Sequence, residues 1–405
     1  LILKRLTLQN FRLMESLSLD FGRRLTLLIG ANGSGKTSIL DGIAIGLGAA
    51  LTHLPDVSGQ TFKKYGDIRQ TNNQVAPFAR VFIETGSGLK WDRIQRRDKS
   101  ASTSQNIPKG YGLKELEHYL NQQVIDPSND GVGFDLPMFA YYGVSRALLN
   151  VPLSRKGFPK KHRRFEALAG ALQANSRFKS AFIWFYNQEN EEHRLQKQHK
   201  SFEYTLHELD VVRQAITRMF SDITEPHITL NPLSLVVTHG GECLNIAQLS
   251  DGYKTLLGLV IDLSSRMAMA NPHLNDPLAA ESIVMIDELD LHLHPSWQQR
   301  VMGDLLQTFT GSQFIVTTHS PFIVESMNNH LKRNQISNDE ILDDDIKRLQ
   351  PLSASDVSAY LMTDSGHLSL LNQELMLLDD QLLEYFNHIG HLYERMRDIE
   401  WERKN

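Results

Sequence analysis

Apolar and polar residues alternate over residues 1–8 (Leu-Ile-Leu-Lys-Arg-Leu-Thr-Leu), the two-residue period of a half-buried strand and not the pattern of a signal peptide. Residues 16–21 and 25–29 also read as strands, as do two β-rich runs over 80–84 and 89–94. Residues 98–112 are loop-like, and the apolar run at 138–142 predicts a strand ending at Gly143. Further strands are expected at 234–238, 282–286 and 314–318. The last two are nearly continuous runs of apolar or β-branched residues, which suits strands covered by helices on both faces of a sheet. Helical patterns occupy 255–270 and 297–308.

Between Gly170 and Pro226 there is no Gly or Pro, and Phe202, Leu206, Leu209, Val212, Ile216 and Phe220 recur at helical spacing. Residues 187–200 are polar on nearly every side. Two or more helices with a solvated middle are expected. At ~1.5 Å per residue, a few dozen helical residues can project well beyond a globular body. Nearer the end, Leu375, Leu378, Leu382, Tyr385, Ile389, Leu392, Met396 and Ile399 step by threes and fours. This heptad seam serves either packing on the chain's own body or a helix–helix contact with another chain.

A chain of 405 residues is expected to divide into two or three lobes. Its composition is that of a soluble globular protein, and a net charge of −5 does not by itself call for a nucleic-acid partner. The single cysteine, Cys243, excludes an internal disulfide or a multi-cysteine zinc site and fits a reducing cytoplasm. No apolar run is long enough to span a bilayer, so no membrane partner is expected.

Residues 30–37, Gly-Ala-Asn-Gly-Ser-Gly-Lys-Thr, follow one of these apolar strands and lead into an apolar helix. Strand, glycine-rich loop, helix and a closing Lys-Thr define a P-loop in its required context. Glycines let backbone N–H groups turn toward phosphate oxygens, and the helix aims its positive end at them. Lys36 is placed to reach the β- and γ-phosphates, and Thr37 to hold Mg²⁺. Asp287 and Glu288 end the run at 282–286, where a carboxylate holds the Mg²⁺ water shell and the next acid polarises an attacking water. Residues 249–254, Leu-Ser-Asp-Gly-Tyr-Lys, open a helix that Ser250 or Asp251 can cap, forming a second anion site. Thr317-Thr318-His319-Ser320-Pro321 ends the next strand, with His319 placed to report on a γ-phosphate.

With these four elements in this order, the chain resembles the ABC-type ATPase heads of the SMC, RecF and OLD-like group over most of residues 1–326. The resemblance implies an α/β fold: a P-loop NTPase ABC-ATPase head with a mixed sheet, a helical insertion and a C-terminal helical extension. It divides the chain into a first ATPase lobe with Walker A (1–146), the helical insertion (147–226), a second lobe with signature, Walker B, D-loop and H-loop (227–326), and the extension with its heptad helix (327–405). It also implies that two heads pair head-to-tail around two ATP molecules, as a homodimer or higher oligomer. Gly30, Asn32, Gly33, Ser34, Gly35, Lys36, Thr37 and Ser38 then hold the nucleotide, with Arg12 of Asn10-Phe11-Arg12 near it. Ser250 and Gly252 of the signature meet the γ-phosphate bound by the other chain, and Asp290 of the D-loop adjoins the nucleotide. Thr37 and Asp287 organise Mg²⁺, Glu288 is the general base, and Lys36 and His319 stabilise the transferring phosphate.

The chain departs from the group in places. Residues 142–146, Tyr-Gly-Val-Ser-Arg, stand where a Q-loop glutamine is expected, leaving Ser145 or Arg146 as the suggested substitute. The insertion is too short for an SMC coiled coil, and without Cys-x-x-Cys there is no zinc hook. Fewer than ninety residues follow His319, short for a TOPRIM nuclease domain, and Asp343-Asp344-Asp345 reads as a solvated acidic turn.

Several strings look like compact bacterial ATPases encoded beside an effector in anti-phage systems, such as the Septu ATPase and retron-associated relatives. They are Asp67-Ile68-Arg69, Tyr141-Tyr142-Gly143, Leu249-Ser250-Asp251-Gly252-Tyr253, Asp287-Glu288-Leu289-Asp290-Leu291-His292-Leu293-His294-Pro295 and Asp356-Val357-Ser358-Ala359-Tyr360. This likeness implies a cytoplasmic ATPase that senses or gates, with cutting done by a partner such as an HNH-type nuclease. The alternative is a RecF- or SMC-like repair or loading ATPase acting on DNA without a nuclease partner. A third possibility is a scaffold that binds ATP and turns it over slowly. His292 and His294 are expected to belong to the D-loop and not to a zinc site. The basic run from Arg155 to Arg164 offers a contact for DNA or RNA phosphates, or a solvated or partner-docking strip.

Overall fold

The computed structural model describes residues 1–63, 66–71, 74–147, 163–174, 178–336, 343–363 and 368–370. A six-stranded sheet lies at its centre, in the order Leu368–Leu370, Val357–Met362, Leu25–Gly30, Ser312–Thr318, Ser282–Ile286, Met138–Tyr142. The last five are parallel and only Leu368–Leu370 runs antiparallel, so the sheet is mixed. Every residue of Leu25–Gly30, Ser282–Ile286, Ser312–Thr318 and Met138–Tyr142 is buried. Burial on both faces explains why these segments read as unbroken apolar runs.

The register aligns the carboxyl ends of the parallel strands. Ile29 pairs with Thr318, Val316 with Ile286, and Ile286 with Tyr142. The P-loop, the Asp287-Glu288 pair, His319 and Gly143 therefore all leave the sheet at one edge, where open α/β sheets bind ligands. Gly30 faces Met362 across its ladder, and a Cβ there would lie 2.4 Å from the Met362 carbonyl oxygen. Only glycine lets the neighbouring strand run so close beneath the loop.

The helix Lys36–His53 buries Ile39, Leu40, Ile43, Leu47 and Leu51. It also packs on a second, antiparallel sheet, ordered Met14–Asp20, Leu3–Phe11, Phe78–Thr85, Lys90–Arg96, whose fully buried Trp91 donates from Nε1 to the Gly46 carbonyl at 3.0 Å. The helix is thus clamped between sheets, which fixes the loop that precedes it. No described helix is long and apolar enough to cross a membrane.

The helical region forms a hairpin of Phe178–His199 and His207–Met219. Leu209, Val212, Ala215 and Ile216 are buried, as is Phe220 just beyond. Phe202 leaves the expected apolar stripe: it lies in the connection and is 94% exposed. Gln196 Nε2 holds the carbonyls of Phe202 (3.2 Å) and Tyr204 (2.9 Å), so the backbone turns before the helical period reaches the core. The polar stretch is also less solvated than expected. Glu192 is buried, receives both terminal nitrogens of Arg213 at 2.9 and 2.8 Å, and accepts from Leu206 N.

Several strands were not evident from sequence pattern. Ile223–Leu230 joins Leu233–His239 and Glu242–Asn245 in a meander, and Val357–Met362 joins the main sheet between Leu25–Gly30 and Leu368–Leu370. The pattern at 297–308 resolves into Pro295–Gln298 and Val301–Thr308. Asp343 caps a short helix, Asp344–Lys347, accepting from Ile346 N at 2.9 Å. The heptad seam from Leu375 to Ile399 lies outside the described residues.

Asp304, on Val301–Thr308, carries a stability cost. Arg300 Nε lies 3.1 Å from its Oδ2, without hydrogen-bond geometry. Burial, only partly offset by Arg300, lifts its carboxyl from 3.8 to about 6. The unfolded chain ionises at the lower value, so stability falls as pH rises from about 4 to about 6 and stays lower above, by at most about 3 kcal/mol. Asp304→Asn should remove that fall. Denaturant titrations of both proteins at the two ends of this window measure it, and equal pH dependence would disprove it.

Candidate nucleotide site

The phosphate loop connects a buried strand to a buried helix, and its side chains divide accordingly. Asn32 and Gly33 are exposed, Ser34 and Lys36 are buried, and Gly35 and Ser38 are half-buried. Lys36 Nζ donates to the carbonyls of Gly30 and Ala31, both at 2.8 Å. Burial lowers the pKa of its ammonium, while Asp287, Glu288 and Asp290 oppose that shift. The charges of three carboxylates thus favour the ammonium of one lysine, a balance that an anionic ligand would reset.

Thr37 and Asp287, remote in sequence, meet directly: Thr37 Oγ1 donates to Asp287 Oδ2 at 2.8 Å. Thr317 Oγ1 donates to the other carboxylate oxygen, Oδ1, at 2.6 Å. The Asp287 N–H is held by the Tyr142 carbonyl at 2.8 Å. Glu288 follows in the left-handed region, φ +48°, and donates its N–H to Thr317 Oγ1 at 2.7 Å. Asp290 turns its carboxylate to its own chain's next strand end, where Oδ1 accepts from Thr318 Oγ1 (2.6 Å) and His319 N (3.1 Å). The aspartate assigned to the nucleotide by resemblance therefore also fixes the loop that carries His319.

Arg12 sits on the turn after Leu3–Phe11 at φ +53°. Its Nη1 lies 2.7 Å from Asp41 and its Nε 3.0 Å from Asp67, with Ser38 Oγ 3.4 Å from Nη1. Burial works against its charge, but the two carboxylates outweigh burial and raise its pKa. Tyr141 OH donates to Asp41 at 3.1 Å, tying this group to the strand beside Ser282–Ile286. Burial, followed by the Asp41 charge, holds the Tyr141 phenol neutral.

Ser250 is the N-cap of Asp251–Ala270, and its exposed hydroxyl accepts from Tyr253 N at 3.5 Å. Among the described residues, no hydrogen bond or ion pair joins Ser250 or Gly252 to residues 30–38. The helix start instead packs against the segment after Asp290. A Cβ on Gly252 would lie 2.6 Å from the His292 carbonyl oxygen, and Tyr253 meets Trp297 edge-on at 5.0 Å. His294 Nδ1 accepts from Ser296 N at 3.3 Å, a capping role. No described cluster of three or more His, Cys, Asp or Glu side chains is suited to a metal.

Two buried polar atoms, Ser34 Oγ and His319 Nε2, have no hydrogen-bond partner in the described structure. Groups of this kind usually find partners, and both lie on the loops that the sequence reading assigns to phosphate. The hydroxyl–carboxylate pair of Thr37 and Asp287 is a hard oxygen donor set of the kind Mg²⁺ accepts. These residues therefore fit a nucleotide and its metal.

Sequence reasoning missed Thr317, Asp41, Asp67 and Tyr141 as parts of the site. Asp67 and Tyr141 stood in strings already noticed, and Thr317 lies two residues before His319, but nothing local marks their partners. The basic run is only partly described. Arg163 pairs with exposed Asp56, whereas Arg164 turns inward to the carbonyls of Ala270 and Phe134, both at 2.7 Å. Ser145 lies on the short turn Val144–Ala147, directly after Met138–Tyr142 and Gly143.

A family model described as an AAA domain matches residues 5–223, more than half of the chain, and one described as an AAA ATPase domain matches 161–324. The chain is 27% identical to the Retron Vc95 probable ATPase of Vibrio cholerae, over 90% of this chain and 80% of that protein. It is 28% identical to the Retron Ec83 probable ATPase of Escherichia coli, over 81% and 70%. A shorter stretch, 20% of this chain and 11% of the other, is 42% identical to the Septu protein PtuA of Bacillus mycoides. A solved SMC head bound to the C-winged helix domain of ScpA aligns over 93% of this chain and 100% of that one, at 14% identity and a TM-score of 0.46, too loose a match to carry weight.

Proposed function

The chain belongs to the AAA-domain family, and from that premise we propose that it binds and hydrolyses ATP as the regulatory subunit of an anti-phage defence complex. The observation that carries the ATPase assignment is the direct hydrogen bond from Thr37 to Asp287. It joins the two halves of a phosphate-and-metal site from positions 250 residues apart. In this proposal residues 30–38 and Arg12 hold the nucleotide, and Thr37 and Asp287 hold Mg²⁺. When bound, the ion neutralises phosphate charge and orients the triphosphate. Lys36 and His319 face the charge that develops on the transferring phosphate. Glu288 takes a proton from the attacking water. The residual work is positioning and electrostatics, which a rigid strand edge supplies.

We also propose that Ser250 completes the site of a second copy. Its exposure at a helix start, without a bond to its own P-loop, supports a role across an interface. Hydrolysis then requires a head-to-tail pair and serves as a clock on the assembled state. The retron and Septu relatives support the defence role, and a nuclease encoded nearby is the partner this proposal expects. The test is Mg²⁺-dependent phosphate release by the purified chain, with and without DNA and with the product of the adjacent reading frame. Regulation of that partner's nuclease activity by ATP is expected. DNA-stimulated hydrolysis with no effector in the neighbourhood would instead favour the repair role.

A further inference from the structure

Thr317 is fully buried at the carboxyl end of Ser312–Thr318. Its hydroxyl acts in two directions, donating to Asp287 Oδ1 at 2.6 Å and accepting from Glu288 N at 2.7 Å. Its carbonyl accepts from Leu289 N at 3.0 Å. Three consecutive residues of the acidic segment therefore hang on one threonine of the neighbouring strand. The geometry points to Thr317 as the positioning residue that couples the metal-holding carboxylate to the general base, an inference that rests on the ATPase assignment above.

Two features require such a part. Asp287 offers Oδ2 to Thr37 only while its carboxylate plane is fixed, and the Thr317 hydroxyl fixes it by occupying Oδ1. Glu288 sits at φ +48°, a conformation that a non-glycine residue adopts only where its surroundings hold it. Its N–H, turned inward there, needs an acceptor. A hydroxyl can donate to the carboxylate and accept from the amide at once. Valine has the same shape and can do neither, while serine can do both. Partners that orient metal ligands in this way typically cost 10–100-fold in metal affinity or activity when removed.

The test compares full-length Thr317→Val and Thr317→Ser with the natural chain. The readout is binding of a fluorescent ATP analogue with and without Mg²⁺, and kcat and KM are measured beside it. Thr317→Val should bind the analogue normally without Mg²⁺. It should lose at least about tenfold of the tightening that Mg²⁺ gives, its kcat should fall by about tenfold or more, and its KM for Mg·ATP should rise in step with the lost tightening. Thr317→Ser should restore both. Retained Mg²⁺ tightening and kcat in the valine variant would overturn the proposal. So would a serine variant as impaired as valine, since packing by the methyl group would then be what matters. If Thr317→Val does not fold, the smaller Thr317→Ala, whose side chain likewise neither donates nor accepts, carries the same expectation. A natural chain that binds the analogue with Mg²⁺ but releases no phosphate would refute the ATPase assignment and leave the Mg²⁺ tightening as a separate test of Thr317.

Discussion

Glu288→Gln should lower kcat by roughly 10²- to 10⁴-fold, the usual worth of a positioned general base, while ATP binding persists. The amide preserves side-chain length but cannot accept the proton of the attacking water. The backbone at φ +48° should be unaffected, since Gln meets the same steric limits as Glu and the Glu288 N–H still has Thr317 Oγ1 as its acceptor. Loss of turnover with binding retained should also trap the paired state, so the variant is expected to elute as a dimer or higher species in ATP and as a smaller one without it. Single-turnover phosphate release and light scattering measure the two effects. An unchanged kcat would remove Glu288 from the mechanism and favour a slow scaffold.

Ser250→Arg should abolish hydrolysis without weakening ATP binding, because the altered residue serves the partner's nucleotide. The exposed N-cap has room for arginine on its own chain, so loss of folding is not the expected cause; the added bulk falls at the interface. Mixing distinguishes this from simple damage. Ser250→Arg retains a good P-loop and Lys36→Ala retains a good signature, so a mixed pair holds one intact composite site. An equal mixture of the two inactive proteins should recover roughly a quarter of the natural rate, as random pairing in a two-fold dimer requires. No recovery on mixing, or full activity in Ser250→Arg alone, would refute the shared site.

Pattern identified strands by alternation where one face is buried, as in Leu3–Phe11, and by unbroken apolar runs where burial is complete. Ile283 to Ile286 and Phe314 to Val316 had to be apolar on both faces, and their period reads as strand in isolation. Ser250 was equally legible, because capping is decided within one turn. Val357–Met362 was not, since Ser358 and Ala359 dilute its apolar content and its strand state depends on the open edge of Leu25–Gly30. Phe202 misled because periodicity reports composition and cannot see that Gln196 ends the helix stripe early.

The candidate site divides along the same line. Local sequence determined which chemical groups this protein possesses: a glycine-rich loop ending in Lys36 and Thr37, a carboxylate pair at a strand tip, a capped helix start and His319. These depend on backbone conformation within a few residues and on strand burial. Tertiary structure alone decided how they meet, with Thr37 on one oxygen of Asp287, Thr317 on the other, Asp290 under His319, and Arg12 between Asp41 and Asp67. Hydrogen bonds and ion pairs reach only a few ångströms, so whether distant residues share one is set by strand order and register, which arise when the whole sheet closes.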